Sequence, residues 1–263
     1  MFFPKIKLFI NDNEQSIEFG KVVRDRFLEN GFELNDEEFD LGIAVGGDGS
    51  FLRMIKNTKF DSNPYYVGIN TGHLGFLQEV KKEELDKLVE EIKEKKYKVS
   101  KIGIQETTIN DKDKYYSFNE IVLRDSELNI VKADIYINDD FLEEYNGDGI
   151  MIATSIGSTA YNLSYGGSIV SPEFSTLQIT PIAPINSKIY RTMQNSIIIP
   201  EKTIIKLKPK NKKIIVSIDG DNKVVEDVDS ICSSIEDKKI KMLRFSHYNF
   251  PQKINEKLLS KDI

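Results

Sequence analysis

The chain of 263 residues has little of what builds disulfide or metal frameworks: one cysteine, Cys232, and two histidines, His73 and His247. A single cysteine excludes an intrachain disulfide framework and any multi-cysteine zinc site, and two histidines argue against a histidine-based metal cluster. Positive charge is also short. A net charge of −6 argues against nucleic acid or an anionic membrane as the main partner. An anionic ligand would have to be met locally, by glycine-rich amides, helix N-termini or single arginines. No apolar run reaches transmembrane length, and the opening MFFPKIKLFI is interrupted by Pro4, Lys5 and Lys7, so it reads as a first strand and not a secretory signal. A cytoplasmic protein is expected. What is present, 40% apolar and 30% charged residues, suits a soluble globular chain with a sizeable core, as one large domain or two ordinary ones.

Two textures follow each other along the chain. From Lys5 to about Lys98, apolar runs (KIKLFI, LGIAV, YYVGIN) alternate with helical patterns, one through Val22, Val23, Phe27 and Leu28 and one from Ser50 to about Lys56. The segment KKEELDKLVEEIKEKKYK sets Leu85, Leu88, Val89 and Ile92 on one helical face, with its charges as a solvated face. Such alternation predicts a parallel sheet wrapped by helices. After about residue 100 the runs become short and rich in Ile, Val and Tyr, and several alternate, as at Ala133, Ile135 and Ile137. Turn signals at Asn-Gly-Asp-Gly (146–149) and Asp-Gly (219–220) separate them, which predicts an antiparallel β domain. The division expected is residues 1–100, joined by a C-terminal helix within 246–263, and residues 101–245.

Four clusters carry the chemistry. In IAVGGDGSFLRMI a strand breaks into Gly46, Gly47, Asp48 and Gly49 and then a helix begins. Bare glycines and a helix N-terminus make an anion cradle, although the pattern is neither a Walker A loop nor GxGxxG. Asp48 inside such a cradle would repel phosphate unless it holds Mg²⁺ or accepts a proton from an attacking hydroxyl. The plainer reading makes Asp48 or Ser50 a helix cap, and Arg53 faces either phosphate or solvent. YVGINTGHLGFL repeats the logic with Asn70, Thr71, Gly72, His73 and Gly75, at the sheet edge where open α/β folds bind ligands.

FNEIVL places Asn119 beside Glu120. Adjacent strand residues face opposite ways, so one of the two should lie at a strand end. An amide beside a carboxylate suits an adenine and a ribose diol. The fourth stretch, 146–172, runs from Asp148 through an apolar strand to Gly157, Ser158, Thr159, Ala160, Tyr161, Asn162 and Ser164, a polar bed on which a flat ligand could lie.

Together these segments resemble the NAD kinase family. Its GGDG is Gly46–Gly49, its second loop is NTGHLGF (70–76), its Asn-Glu pair is Asn119–Glu120, and its GSTAY is Gly157–Tyr161 followed by Asn162, Leu163 and Ser164. The likeness continues through APINS (183–187) to VSIDG (216–220). It implies an α/β domain with a parallel sheet plus an all-β sandwich, and transfer of the terminal phosphoryl group of ATP to the 2′-hydroxyl of NAD's adenosine ribose. It also implies that Asp48 is the proton acceptor, and that Gly49, Arg53, Asn119, Glu120, Asn146, Asp148, Thr159, Ala160, Tyr161, Asn162, Leu163, Ser164 and Ala183 bind NAD. The divalent ion, Mg²⁺, would come with ATP, with no protein residue assigned to metal. Whether ATP alone or also inorganic polyphosphate is the donor stays open from sequence. Members form homodimers or homotetramers, so Asn146, Asp148 and Ala183 are candidates to act across an interface. Where the family has Thr-Pro-Thr or Thr-Pro-Ser, this chain has Thr154, Ser155 and Ile156, which should loosen the turn and removes one hydroxyl. Two other readings remain open from sequence: a lipid kinase of the related GGDG class, and a non-catalytic NAD sensor.

Overall fold

The computed structural model describes residues 3–72, 75–245 and 248–260, so His73 and His247 lie outside the described residues. The chain divides into two compact units, Met1–Lys101 with Ile240–Ile263, and Ile102–Lys239.

In the first unit the order is β1 (Lys5–Ile10), α1 (Glu14–Glu29), β2 (Glu33–Leu34), β3 (Leu41–Gly46), α2 (Asp48–Asn57), β4 (Tyr65–Asn70), β5 (Val80–Lys81) and α3 (Leu85–Lys93). Strands β2, β1, β3 and β4 lie side by side, all parallel. Every residue of β3 is buried, the signature of a parallel strand covered on both faces. Helix α1 starts at Asn13, whose side chain accepts the Ser16 N–H at 2.7 Å. It buries Val23 and Phe27 and leaves Val22 and Leu28 exposed. Leu85, Leu88, Val89 and Ile92 of α3 are all buried, but so is Glu91 among the charges expected to be solvated. The helix stops at Lys93 instead of running on: Lys95 takes a left-handed φ of +58° and the chain turns into the next strand.

That strand, β6 (Tyr97–Ile109), leads into the second unit. There follow β7 (Asp113–Ser117), β8 (Glu120–Asp125), β9 (Val131–Ile137), β10 (Asp140–Gly147), β11 (Gly149–Thr154), the short helix α4 (Tyr161–Ser164), β12 (Thr176–Ile182), β13 (Ile197–Pro200), β14 (Ile205–Pro209), β15 (Lys213–Ile218), β16 (Asp221–Glu226) and β17 (Ile231–Phe245). One layer is antiparallel in the order β13-β12-β11-β8-β15-β16. The other runs β10-β9-β14-β17, also antiparallel. Ile121, Leu123, Ile150 and Ile152 from the first meet Ala133, Ile135, Ile205 and Leu207 from the second in one core, the arrangement of a β-sandwich.

The two turn signals behave differently. Asp219 and Gly220, with φ of +46° and +85°, close the β15–β16 hairpin. Residues 146–149 make no hairpin, because β10 pairs with β9 in one layer and β11 with β8 and β12 in the other. The glycines there serve a corner where the chain changes sheet. It is tied to the segment after β12 by Asp148 N–H to Ile182 C=O at 2.9 Å and Ile185 N–H to Asn146 C=O at 2.8 Å.

The end of β17 returns to the first unit, where Lys241 and Met242 pair in parallel with Tyr65 and Tyr66 of β4. Helix α5 (Phe250–Ile254) follows, capped by Asn249, whose side chain accepts the Gln252 N–H at 3.0 Å; the helix widens into a π-helical turn through Leu259. Among the described residues no helix is long and apolar enough to cross a membrane.

Candidate active site

Parallel strands β3 and β4 end at the same sheet edge, so the turn after β3 and the loop after β4 are neighbours by construction. The cap of α2 is Gly47 and no side chain caps it; Asp48 is the first helical residue and uses its carboxylate elsewhere. Its Oδ2 accepts the Phe76 N–H at 2.8 Å, and its Oδ1 accepts those of Leu77 and Gln78 at 3.0 and 3.3 Å. Gly75 is required there, since a Cβ would collide with the Asp48 carboxylate. A Cβ on Gly47, by contrast, would meet nothing within 4 Å, so that side of the turn is open to a ligand. Gln78, fully buried, donates from Nε2 to the Gly47 carbonyl at 2.6 Å and braces the turn from beneath. Arg53 is exposed and donates to Asn11 Oδ1 and, at 3.3 Å, to Ser50 Oγ. Ser16 Oγ and Thr71 Oγ1, 2.9 Å apart and buried, fasten the first turn of α1 to the loop after β4.

In the second unit Asn119 precedes β8 and Glu120 begins it, so the pair straddles a strand end. Asp219, at the hairpin, fixes both: its Oδ2 accepts the Phe118 N–H at 2.8 Å, and its Oδ1 accepts those of Asn119 and Glu120 at 2.8 and 3.2 Å. The Asn119 carbonyl accepts the Thr154 N–H at 2.8 Å and sits so close to Gly157 that a Cβ there would strike it. The turn without proline is held by Thr154, whose hydroxyl donates to the Phe118 carbonyl at 2.7 Å and accepts the Gly157 N–H at 3.1 Å; Ile156 is buried.

Of the hydroxyl-rich loop, Thr159, Ala160 and Leu163 are half-buried, and Tyr161 and Ser164 are exposed. Asn162 faces inward, accepting from Thr180 Oγ1 at 2.6 Å and donating to the Ser158 carbonyl at 3.3 Å, so its amide shapes the bed from below. Arg124 donates to the hydroxyls of Tyr161 and Tyr165 at 2.9 and 2.7 Å. The Tyr165 phenol is held below its ordinary value by the hydrogen bond with Tyr161 and by Arg124, against burial and the Asp148 charge. The Tyr161 phenol is raised, first by Tyr165 and then by burial, and it feels the Glu120 charge. The Asn119 carbonyl packed against Gly157 sets the pair at 119–120 next to the start of this loop. Asn146 is buried at the sheet-changing corner, with Asp148 and Ala183 exposed on either side of the bonds that close it.

Gln78 and Arg124 entered no sequence motif with a role, and Asp219, read in the Asp-Gly turn and in VSIDG, was given none in the site. Each acts on a partner far along the chain, and no local sequence signal flagged those pairings. Among the described residues, no group of three or more His, Cys, Asp or Glu could hold a metal ion.

An open turn after a parallel strand, with a carboxylate held at its mouth, is an arrangement that suits a nucleotide-dependent phosphotransferase. Two family models match: the ATP-NAD kinase N-terminal domain over residues 7–97 and the ATP-NAD kinase C-terminal domain over residues 118–239. The NAD kinase of Finegoldia magna is 38% identical over 253 residues, covering 91% of this chain and 92% of its own. That of Streptococcus pneumoniae is 34% identical over 261 residues, covering 96% and 95%. A crystal structure of yeast NADH kinase with NADH matches with a TM-score of 0.82 at 25% identity, over 99% of this chain and 91% of that one. The Archaeoglobus fulgidus NAD kinase solved with ATP, at 22% identity and a TM-score of 0.77 over 96% and 98%, shares the fold. The chain belongs to the NAD kinase family.

Proposed function

We propose that the chain is an NAD kinase that transfers the terminal phosphoryl group of ATP to the 2′-hydroxyl of NAD's adenosine ribose, producing NADP. The observation that carries the role of Asp48 is its setting: the carboxylate stands at the mouth of an amide-lined turn, caps no helix, and is oriented by three backbone N–H groups. A carboxylate has about four lone-pair directions, so three bonds leave about one for a substrate hydroxyl. As that oxygen attacks phosphorus, its proton passes to Asp48, while the amides about Gly47 and Gly49 and the N-terminus of α2 stabilise charge on the transferring group. Magnesium–ATP is the donor complex, and inorganic polyphosphate is the second donor to be tried. The comparisons support these substrates: the matching family models are those of ATP-NAD kinase, and the yeast structure contains NADH.

In this reading residues 1–100 with 246–263 handle the phosphoryl group, and 101–245 bind NAD. Asn119 and Glu120 take the adenosine, Thr159, Ala160, Tyr161, Asn162, Leu163 and Ser164 form its bed, and Gly49 and Arg53 flank the reacting end. Asn146, Asp148 and Ala183 complete a site across a homodimer or homotetramer interface. The setting is the cytoplasm. The test is incubation with NAD, ATP and Mg²⁺, read by an NADP-specific dehydrogenase, with Asp48→Asn alongside. NADP from the wild type is expected. None, with polyphosphate also supplied, would overturn the reading.

A further inference from the structure

The loop that orients Asp48 is held from its other side by a buried cation. Lys253 Nζ, on α5, donates to the carbonyls of Phe76 and Gln78 at 3.3 and 2.7 Å, across 175 residues of sequence in the latter case. A peptide unit is planar and trans, so its C=O and the following N–H point in opposite directions. The Phe76 carbonyl pulled by Lys253 shares its plane with the Leu77 N–H received by Asp48. The Gln78 carbonyl shares its plane with the Glu79 N–H, which bonds to the Gly68 carbonyl of β4 at 2.9 Å. One cation therefore ties the loop both to the sheet and to the carboxylate.

An ion pair for stability alone does not need this lysine. Glu79 already pairs with Arg244 at 2.8 Å and accepts the Phe245 N–H at 3.3 Å, while Lys253 Nζ stands farther off, at 3.6 Å. All three side chains are buried, and the Tyr248 ring lies 4.2 Å from the Arg244 guanidinium and 5.1 Å from Lys253 Nζ. A second cation beside Arg244 is unfavourable in such a place. Burial and, after it, the Arg244 charge push the lysine down to about 8 against the attraction of Glu79 and Asp48. The two loop carbonyls are what this cation serves beyond charge balance.

We propose that Lys253 is a positioning residue for phosphoryl transfer: by clamping the carbonyls of the 76–78 loop it fixes the amides that aim Asp48 at the substrate hydroxyl. The proposal rests on Asp48 being the proton acceptor. Its test uses the full chain and Lys253→Met, which keeps the length and apolar stem but has no donor, with Glu79 still paired to Arg244. We expect kcat for NADP formation to fall about tenfold with KM for NAD changed less than about twofold. On an Asp48→Asn background the same change should alter kcat by less than about twofold, because the group it acts through is gone. Lys253→Gln, which can still donate to a carbonyl, should fall between wild type and Lys253→Met, and it replaces the methionine variant if thermal melting shows that one unfolded. Equal losses on both backgrounds, or a raised KM with unchanged kcat, overturn the proposal and leave Lys253 a structural cation. Asp48→Asn measured alone judges the underlying reading: activity within about tenfold of wild type would remove Asp48 as the base, whatever the Lys253 variants do.

Discussion

Two aspartates in this chain do the same local work. Asp48 and Asp219 each receive three consecutive backbone N–H groups, at 76–78 and 118–120. They differ in what they leave open. Asp48 is half-buried at the mouth of a turn, whereas Asp219 is buried within its hairpin. Asp48→Asn should therefore lose about 10²- to 10⁴-fold in kcat while NAD still binds, as checked by steady-state rates and by calorimetric titration. Asp219→Ala should act through the strand: with three amides losing their acceptor, urea unfolding should show a loss of about 2–4 kcal/mol, and KM for NAD should rise. A variant that keeps full stability would show that water replaces the carboxylate there.

At the scale of elements, strand ends and turns carry the site, and close packing fixes them. Gly157→Ala drives a methyl group into the Asn119 backbone carbonyl, which cannot yield as a side-chain tip could. We expect about 1–3 kcal/mol of destabilisation by thermal unfolding, together with weakened NAD binding, since the same shift displaces the pair at 119–120. The elements themselves were largely legible. Period-two alternation disclosed β9, the buried face of α3 followed from Leu85, Leu88, Val89 and Ile92, and the strand-end placement of Asn119 and Glu120 followed from the opposite facing of neighbouring strand residues. The Asn-Gly-Asp-Gly signal was legible as a bend but not as a change of sheet, because turn chemistry specifies backbone angles and not which strand comes next. The pairings of Gln78, Asp219 and Lys253 escaped for a related reason. Their partners lie 31, 101 and 175 residues away, and local pattern holds no record of such pairings.

At the scale of the molecule, Lys253 links pH to stability. Its ordinary value is 10.5 and its folded value about 8, among the charges of Glu79, Arg244 and Asp48. Between those two values the unfolded chain holds a proton that the folded chain has shed, so this group makes stability rise with pH from about 8 to 10.5. Urea midpoints across that range should climb more steeply, or fall less, for wild type than for Lys253→Met; parallel curves would show that the lysine titrates normally. The same region also sets an order in time. β4 takes the end of β17 as its parallel neighbour, and the loop after β4 takes its cation from α5. A ribosome that has delivered the chain as far as Lys239 has made the whole Gly-Gly-Asp-Gly turn but neither of those partners. A nascent chain at that stage therefore has the turn and the 76–78 loop bonded to each other, but lacks the strand and the cation that hold that loop from its other side.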